Sequence, residues 1–204
     1  MNEEDVKPLE SRSVFRGRIV ELSVDRVRLP NGKVCELEMI RHPGAAAVVP
    51  VDDNGDVILV RQYRYAAGGL LLEVPAGKLD GGEPPAECAA RELQEETGFS
   101  ATEITPMGWI WTTPGFTDEK IWLYLATGLS PARQDLQDDE VLTVERLPLS
   151  EAVRQAERGE IRDAKSVCAL FRADLHLRQK KSRPRISGTA FRFLCDRSGV
   201  YASS

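Results

Sequence analysis

The sequence predicts an α+β domain, an α/β/α sandwich around a mixed β-sheet, with an antiparallel β element ahead of it. Three observations predict this. Residues 14–41 alternate apolar and polar side chains, as in Arg18-Ile19-Val20-Glu21-Leu22-Ser23-Val24. Short apolar runs then precede one run of good helix formers at 86–97. Further strand-like segments lead into two helices near 151–158 and 164–178. This order lacks the regular strand and helix alternation of a doubly wound βαβ fold.

The N-terminal element covers residues 1–44, and its alternation breaks at the turn signal Pro30-Asn31-Gly32. Ala45 to Val51 and Val57 to Tyr63 flank Asp52-Asp53-Asn54-Gly55, which predicts a hairpin; Leu70 to Val74 is a short strand ended by Pro75. Pro84 and Pro85 can open a helix in its first turn, and Gly98 stops the run Ala86 to Thr97. Strands follow near 103–111, 119–127 and 140–147. Ser150 and Asp163 are placed to cap the last two helices, the second with Val167, Leu170, Phe171 and Leu175 on one face. The main domain is therefore expected over 45–178, with a tail over 179–204.

At 204 residues the chain holds one sizeable core rather than two. A net charge of −5 argues against a body that wraps nucleic acid, which needs surplus Lys and Arg. The basic stretch Arg178-Gln-Lys-Lys-Ser-Arg-Pro-Arg reads first as a flexible, solvated terminus and second as a tail for a partner or nucleic acid. No apolar run spans a bilayer, and Met1-Asn2-Glu3-Glu4-Asp5 lacks the parts of a signal peptide, so the expected location is the cytoplasm. Cys35, Cys88, Cys168 and Cys195 form no CxxC pair, which suggests neither a zinc knuckle nor a disulfide framework.

On the helix 86–97, Ala86, Ala90, Leu93 and Thr97 make a narrow face suited to a sheet, while Glu92, Glu95 and Glu96 share another. Glu92 and Glu96 oppose each other at i, i+4, which costs an isolated helix about 0.2–0.5 kcal/mol. A solvated acidic face is one reading. The other is a set of oxygen ligands for a hard cation such as Mg²⁺. The glycine-punctuated loop Gly77-Lys-Leu-Asp-Gly-Gly-Glu83 just before the helix favours the second, since such a loop brings backbone close to a metal or phosphate.

Residues 77–99 resemble the Nudix box: Gly77, five residues, Glu83, seven residues, Arg91-Glu92-Leu93, one residue, Glu95-Glu96, one residue, Gly98-Phe99. Outside the box, Arg61-Gln62-Tyr63-Arg64, Leu72-Glu73-Val74-Pro75-Ala76-Gly77 and Ile161-Arg162-Asp163-Ala164-Lys165 resemble the ADP-ribose pyrophosphatase branch. So does Pro114, sixteen residues after Gly98.

The resemblance implies that Glu92, Glu95 and Glu96, with the Ala76 carbonyl, bind Mg²⁺, or Mn²⁺ in its place, and that Glu83 and Arg91 pair to hold the loop. It implies substrate contacts at Arg64, Glu73, Arg41, Gly77 and Pro114. Catalytic carboxylates are Glu95 and, on the loop Gln137-Asp138-Asp139-Glu140-Val141, Glu140 or Asp138 as the base. The implied reaction is cleavage of ADP-ribose to AMP and ribose 5-phosphate in a homodimer built through the N-terminal strands. Other nucleoside diphosphate sugars, or a non-catalytic nucleotide sensor with a binding tail, are the alternatives.

Overall fold

The computed structural model describes residues 8–18, 20–137 and 141–182. The chain opens with β1 (Glu10–Arg16), β2 (Glu21–Arg28) and β3 (Val34–Arg41), an antiparallel sheet in the order β1-β2-β3. There follow β4 (Ala45–Pro50), β5 (Asp56–Arg64), β6 (Gly69–Glu73) and β7 (Ala76–Lys78). Then come α1 (Pro85–Thr97), β8 (Phe99–Trp111), β9 (Lys120–Pro131) and β10 (Leu142–Pro148). The described chain ends with α2 (Leu149–Glu157) and α3 (Ala164–Ser182).

The central sheet is mixed, in the order β7-β4-β9-β8, with β4 and β9 parallel and the other pairs antiparallel. Strand alternation sends Ala46 and Val48 of β4, with Tyr124 and Ala126 of β9, against Cys88, Ala89 and Leu93 of α1. The opposite face, with Ala45, Ala47, Val49, Leu123 and Leu125, packs on α2, α3 and the sheet β10-β5-β6. Burial on both faces explains why β4 is apolar at every position instead of alternating. No described helix is long and apolar enough to cross a membrane.

The residues around Asp52-Gly55 turn as expected: Gly55 donates its N–H to the Asp52 carbonyl at 2.9 Å, and Val51 bridges Val57. They do not extend into a hairpin. Both edges of β4 are taken by β7 and β9, so β5 enters the other sheet. Ser150 is not the cap of α2, which starts one residue before it at Leu149, a buried anchor whose N–H bonds to the Gly55 carbonyl at 3.1 Å. Asp163 does cap α3, accepting the Ser166 N–H at 3.0 Å.

Two helical faces differ from the expected ones. The inward stripe of α3 is Ser166, Ala169, Leu170 and Ala173, in which the small Ser166, Ala169 and Ala173 bring the helix close to the sheet, while Phe171 and Leu175 point outward. On α1, Ala86 and Ala90 are exposed, and Glu92 and Glu96 are buried together with Cys88, Ala89, Leu93 and Thr97. The acidic pair thus sits on the packed side, where the helix meets β7. Residues 179–182, expected in the tail, continue α3.

The β8–β9 ladder gathers an aromatic group at its edge. Trp109 pairs with Trp122 and Trp111 with Lys120, and the Lys120 ammonium lies 4.1 Å from the Trp109 ring centre and 4.9 Å from that of Trp122.

Candidate active site

Three residues of β7 and a tight loop deliver the chain from the central sheet into α1, which places the backbone of Gly77 directly beneath the helix. A Cβ on Gly77 would lie 1.8 Å from Oε1 of Glu92, so only glycine fits under that carboxylate. One residue earlier, the Ala76 N–H donates to Oε2 of Glu96 at 3.2 Å. The two carboxylates of α1 are therefore both laid on the backbone of β7.

Arg91 gathers the rest of the corner. Its guanidinium forks onto Glu83 at 2.9 and 3.0 Å, reaches Glu92 at 2.7 Å and Glu95 at 2.9 Å, and bonds the Lys78 carbonyl at 3.2 Å. The Glu83–Arg91 pair inferred from sequence is present, and the hydrogen bonds from Arg91 hold the Glu83 carboxyl below the usual range. Beneath it, burial pushes the Cys88 thiol up to about 12, so it stays protonated beside the Gly77 and Lys78 carbonyls. Among the described residues, no three His, Cys, Asp or Glu side chains form a ready-made metal cage. Arg91 holds the Glu95 carboxylate to itself instead.

The facing wall brings the cations Arg64 and Lys165, each tied to a carboxylate. Glu73, 1% exposed at the end of β6, takes a two-pronged bond from Arg64 at 2.9 and 2.8 Å and another from Lys165 at 2.5 Å. Burial pushes the Glu73 carboxyl up, but the Arg64 and Lys165 bonds outweigh it and hold the group below the ordinary range. Asp163 steadies Lys165 at 2.9 Å, and Ser166 returns to the Val74 N–H at 2.8 Å. Arg64 and Lys165 are thus the cations of this wall, with Glu73 and Asp163 as their carboxylate partners. The cleft of about 860 Å³ has Arg64, Gln62 and Lys165 on one side and Gly77, Glu92 and Glu96 on the other. That is room for a dinucleotide-sized ligand.

Not every expected site residue reaches the cleft. Arg41 pairs with Asp25 and with Asp118 at 3.1 Å, tying the N-terminal sheet to the β8–β9 connection, and lines a smaller neighbouring cleft instead. Pro114 sits exposed in that connection, while Thr112 and Thr113 line the cleft. Glu73 is sealed behind Arg64 and positions it, rather than lying open to a ligand. Asp138 and Glu140 lie outside the described residues. Sequence reasoning missed Gln62, Lys165 and Arg18 as cleft residues. Lys165 stood in a recognised segment but was read only as part of a helix start. Gln62 also stands in such a segment, Arg61-Gln62-Tyr63-Arg64, where the resemblance singles out Arg64 alone.

Residues 41–170 match the family model described as NUDIX domain, and residues 6–36 the one described as nucleoside diphosphate sugar hydrolase N-terminal domain. The chain is 40% identical over 166 residues to an ADP-ribose pyrophosphatase of Bacillus subtilis strain 168, covering 80% of this chain and 90% of that one. It is 43% identical over 164 residues to an ADP-ribose pyrophosphatase of Mycobacterium tuberculosis strain ATCC 25618 / H37Rv, covering 79% of each. A solved structure described as an ADP compounds hydrolase superposes with a TM-score of 0.76 at 27% identity, over 87% of this chain and 96% of that one.

Gly77→Ala is expected to destabilise the chain by about 1–3 kcal/mol by driving Glu92 off its seat. In a Glu92→Ala background the same change is expected to cost much less, and equal costs in urea titrations of both pairs would disprove the contact. The depressed Glu73 pKa contributes stability that is fully present above the unfolded carboxylate value and is lost as pH falls through the lower folded one. Glu73→Gln is therefore expected to flatten the acid limb of a melting-temperature profile, and an unchanged limb would remove the pair as its source.

Proposed function

Because the chain belongs to the Nudix hydrolase family, we propose that it hydrolyses the pyrophosphate bond of ADP-ribose to AMP and ribose 5-phosphate with bound Mg²⁺. The observation that carries this is the polarity of the cleft, with carboxylates laid over Gly77 on one wall and Arg64 with Lys165 on the other. A pyrophosphate is the ligand that needs both. Its phosphate oxygens are met by the N–H donors of Arg64 and Lys165, and a hard divalent cation is met by oxygen donors.

The donor set fits such a cation: Glu92 and Glu96 bring carboxylate oxygens against the β7 backbone, where Gly77 leaves room for them. Glu92, Glu96, Glu95 and the Ala76 carbonyl would hold it, with Glu95 turning from Arg91, and the ion would supply polarisation of the pyrophosphate oxygens. Arg64 spends two of its five donors on Glu73, which orients the remaining N–H groups for phosphate. Glu140 or Asp138 takes the proton of the attacking water, Glu140 first because it ends the acidic run just before β10.

A second copy of the chain belongs on the N-terminal sheet in this reading. All seven residues of β1 are exposed, among them Val14 and Phe15 at 50% and 58%. Sedimentation equilibrium of the full chain is expected to give about twice 22.6 kDa; a species of 22.6 kDa would exclude the dimer.

The enzymatic reading is tested by phosphate release, coupled to a phosphatase, from ADP-ribose, NADH, GDP-mannose and diadenosine polyphosphates with Mg²⁺. ADP-ribose is expected to be the fastest. Glu96→Gln is expected to lower kcat about a hundredfold or more with the melting temperature retained. Binding of ADP-ribose without turnover by the parent protein would sink the enzyme and leave a sensor.

A further inference from the structure

One buried polar atom has no use in anything described so far. Gln62 lies in the middle of β5, its backbone paired with Leu71 of β6 and Leu142 of β10. Its side chain is 7% exposed and lines the cleft beside Arg64, two residues further along the same face of the strand. Its amide oxygen is the one buried side-chain atom among the described residues with no hydrogen-bond partner.

An unpaired buried carbonyl costs the folded chain the full desolvation of that group, whereas an apolar side chain of the same length would cost nothing. Leu71 and Leu142 on the flanking strands show that apolar residues are at home at this level of the sheet. The oxygen is thus kept for a partner that arrives with the ligand. An amide oxygen only accepts, and a fully ionised phosphate oxygen has no proton to give it. The complementary group is a hydrogen-bond donor, and beside the phosphate-facing Arg64 the donors at hand are the hydroxyls of a sugar and water.

We propose that Gln62 is a ligand-binding residue of the cleft, its amide oxygen accepting a hydrogen bond from an O–H group that is present only in the substrate complex. This rests on the hydrolytic reading above. Two sources share that chemistry. One is a hydroxyl of the substrate's sugar. The other is the attacking water, which needs a second acceptor to fix its orientation while a carboxylate takes its first proton.

The test compares the parent full-length protein with Gln62→Met, which keeps the length and removes the oxygen, and Gln62→Glu, which restores an acceptor. Gln62→Met is expected to raise the melting temperature by about 2–4 °C, because the orphan is gone, while kcat/KM for ADP-ribose falls about 10- to 100-fold. Gln62→Glu is expected to recover part of that loss. A fall confined to kcat assigns the bond to the attacking water. A rise confined to KM, with deoxyribose analogues losing nothing further in Gln62→Met, assigns it to a sugar hydroxyl. Retention of kcat/KM within about twofold in Gln62→Met overturns the proposal, and so does Gln62→Glu falling below Gln62→Met, which would point to a phosphate oxygen. If the parent protein leaves ADP-ribose intact, the substrate reading fails on its own, and the same comparison is made on whichever sugar nucleotide of the panel it cleaves.

Discussion

Three carboxylates and a carbonyl converge on the guanidinium of Arg91, and the corner where β7 meets α1 depends on that convergence. Two carboxylates about 4 Å apart repel by about 1 kcal/mol in water and several-fold more where solvent is thin. Glu92 is buried and cannot escape to water, so its charge has to be met locally. Arg91 meets it, and by forking onto Glu83 it also closes the loop that follows β7. The rest of the cleft follows from this corner: with the loop closed, Gly77 is held under Glu92 and Ala76 under Glu96.

A second, separate ionic unit builds the facing wall, and the two differ in what they leave over. Around Arg91 the acidic groups outnumber the cation. Around Glu73 the charges balance, since Arg64 and Lys165 share it and Asp163 also answers Lys165. Each wall is internally paired, which limits the cost of burial, but only the Arg91 corner keeps an excess of one sign. The β4–β9 core fixes the separation of the walls, because β7 extends one edge of that sheet while α3 lies across its face.

Much of this was legible because it is local in sequence. The residues from Gly77 to Gly98 lie within one strand, loop and helix, so their spacing alone encodes their geometry. The element order and the mixed sheet could likewise be read from periodicity and turn residues. Errors arose where side chains of unlike chemistry share a face. Glu92 and Glu96 were set apart from the packed face of α1 because charge normally points to solvent, whereas here β7 offers them a backbone N–H and a glycine. Phe171 and Leu175 were read as core because they are apolar, but Ala169 and Ala173 pack there, their size allowing closer approach. Long-range pairings such as Arg41 with Asp118, 77 residues apart, have no local signature at all.

The three tryptophans of the chain, Trp109, Trp111 and Trp122, all stand around Lys120 at one edge of the central sheet. Thr112 and Glu119, which flank this group in sequence, bond to each other at 2.7 Å and line the cleft. Tryptophan fluorescence of this protein is therefore an optical signal from a single place. It reports the environment of one ammonium beside the cleft mouth and is nearly blind to α2, α3 and the N-terminal sheet, whose loosening has to be followed by a probe placed there.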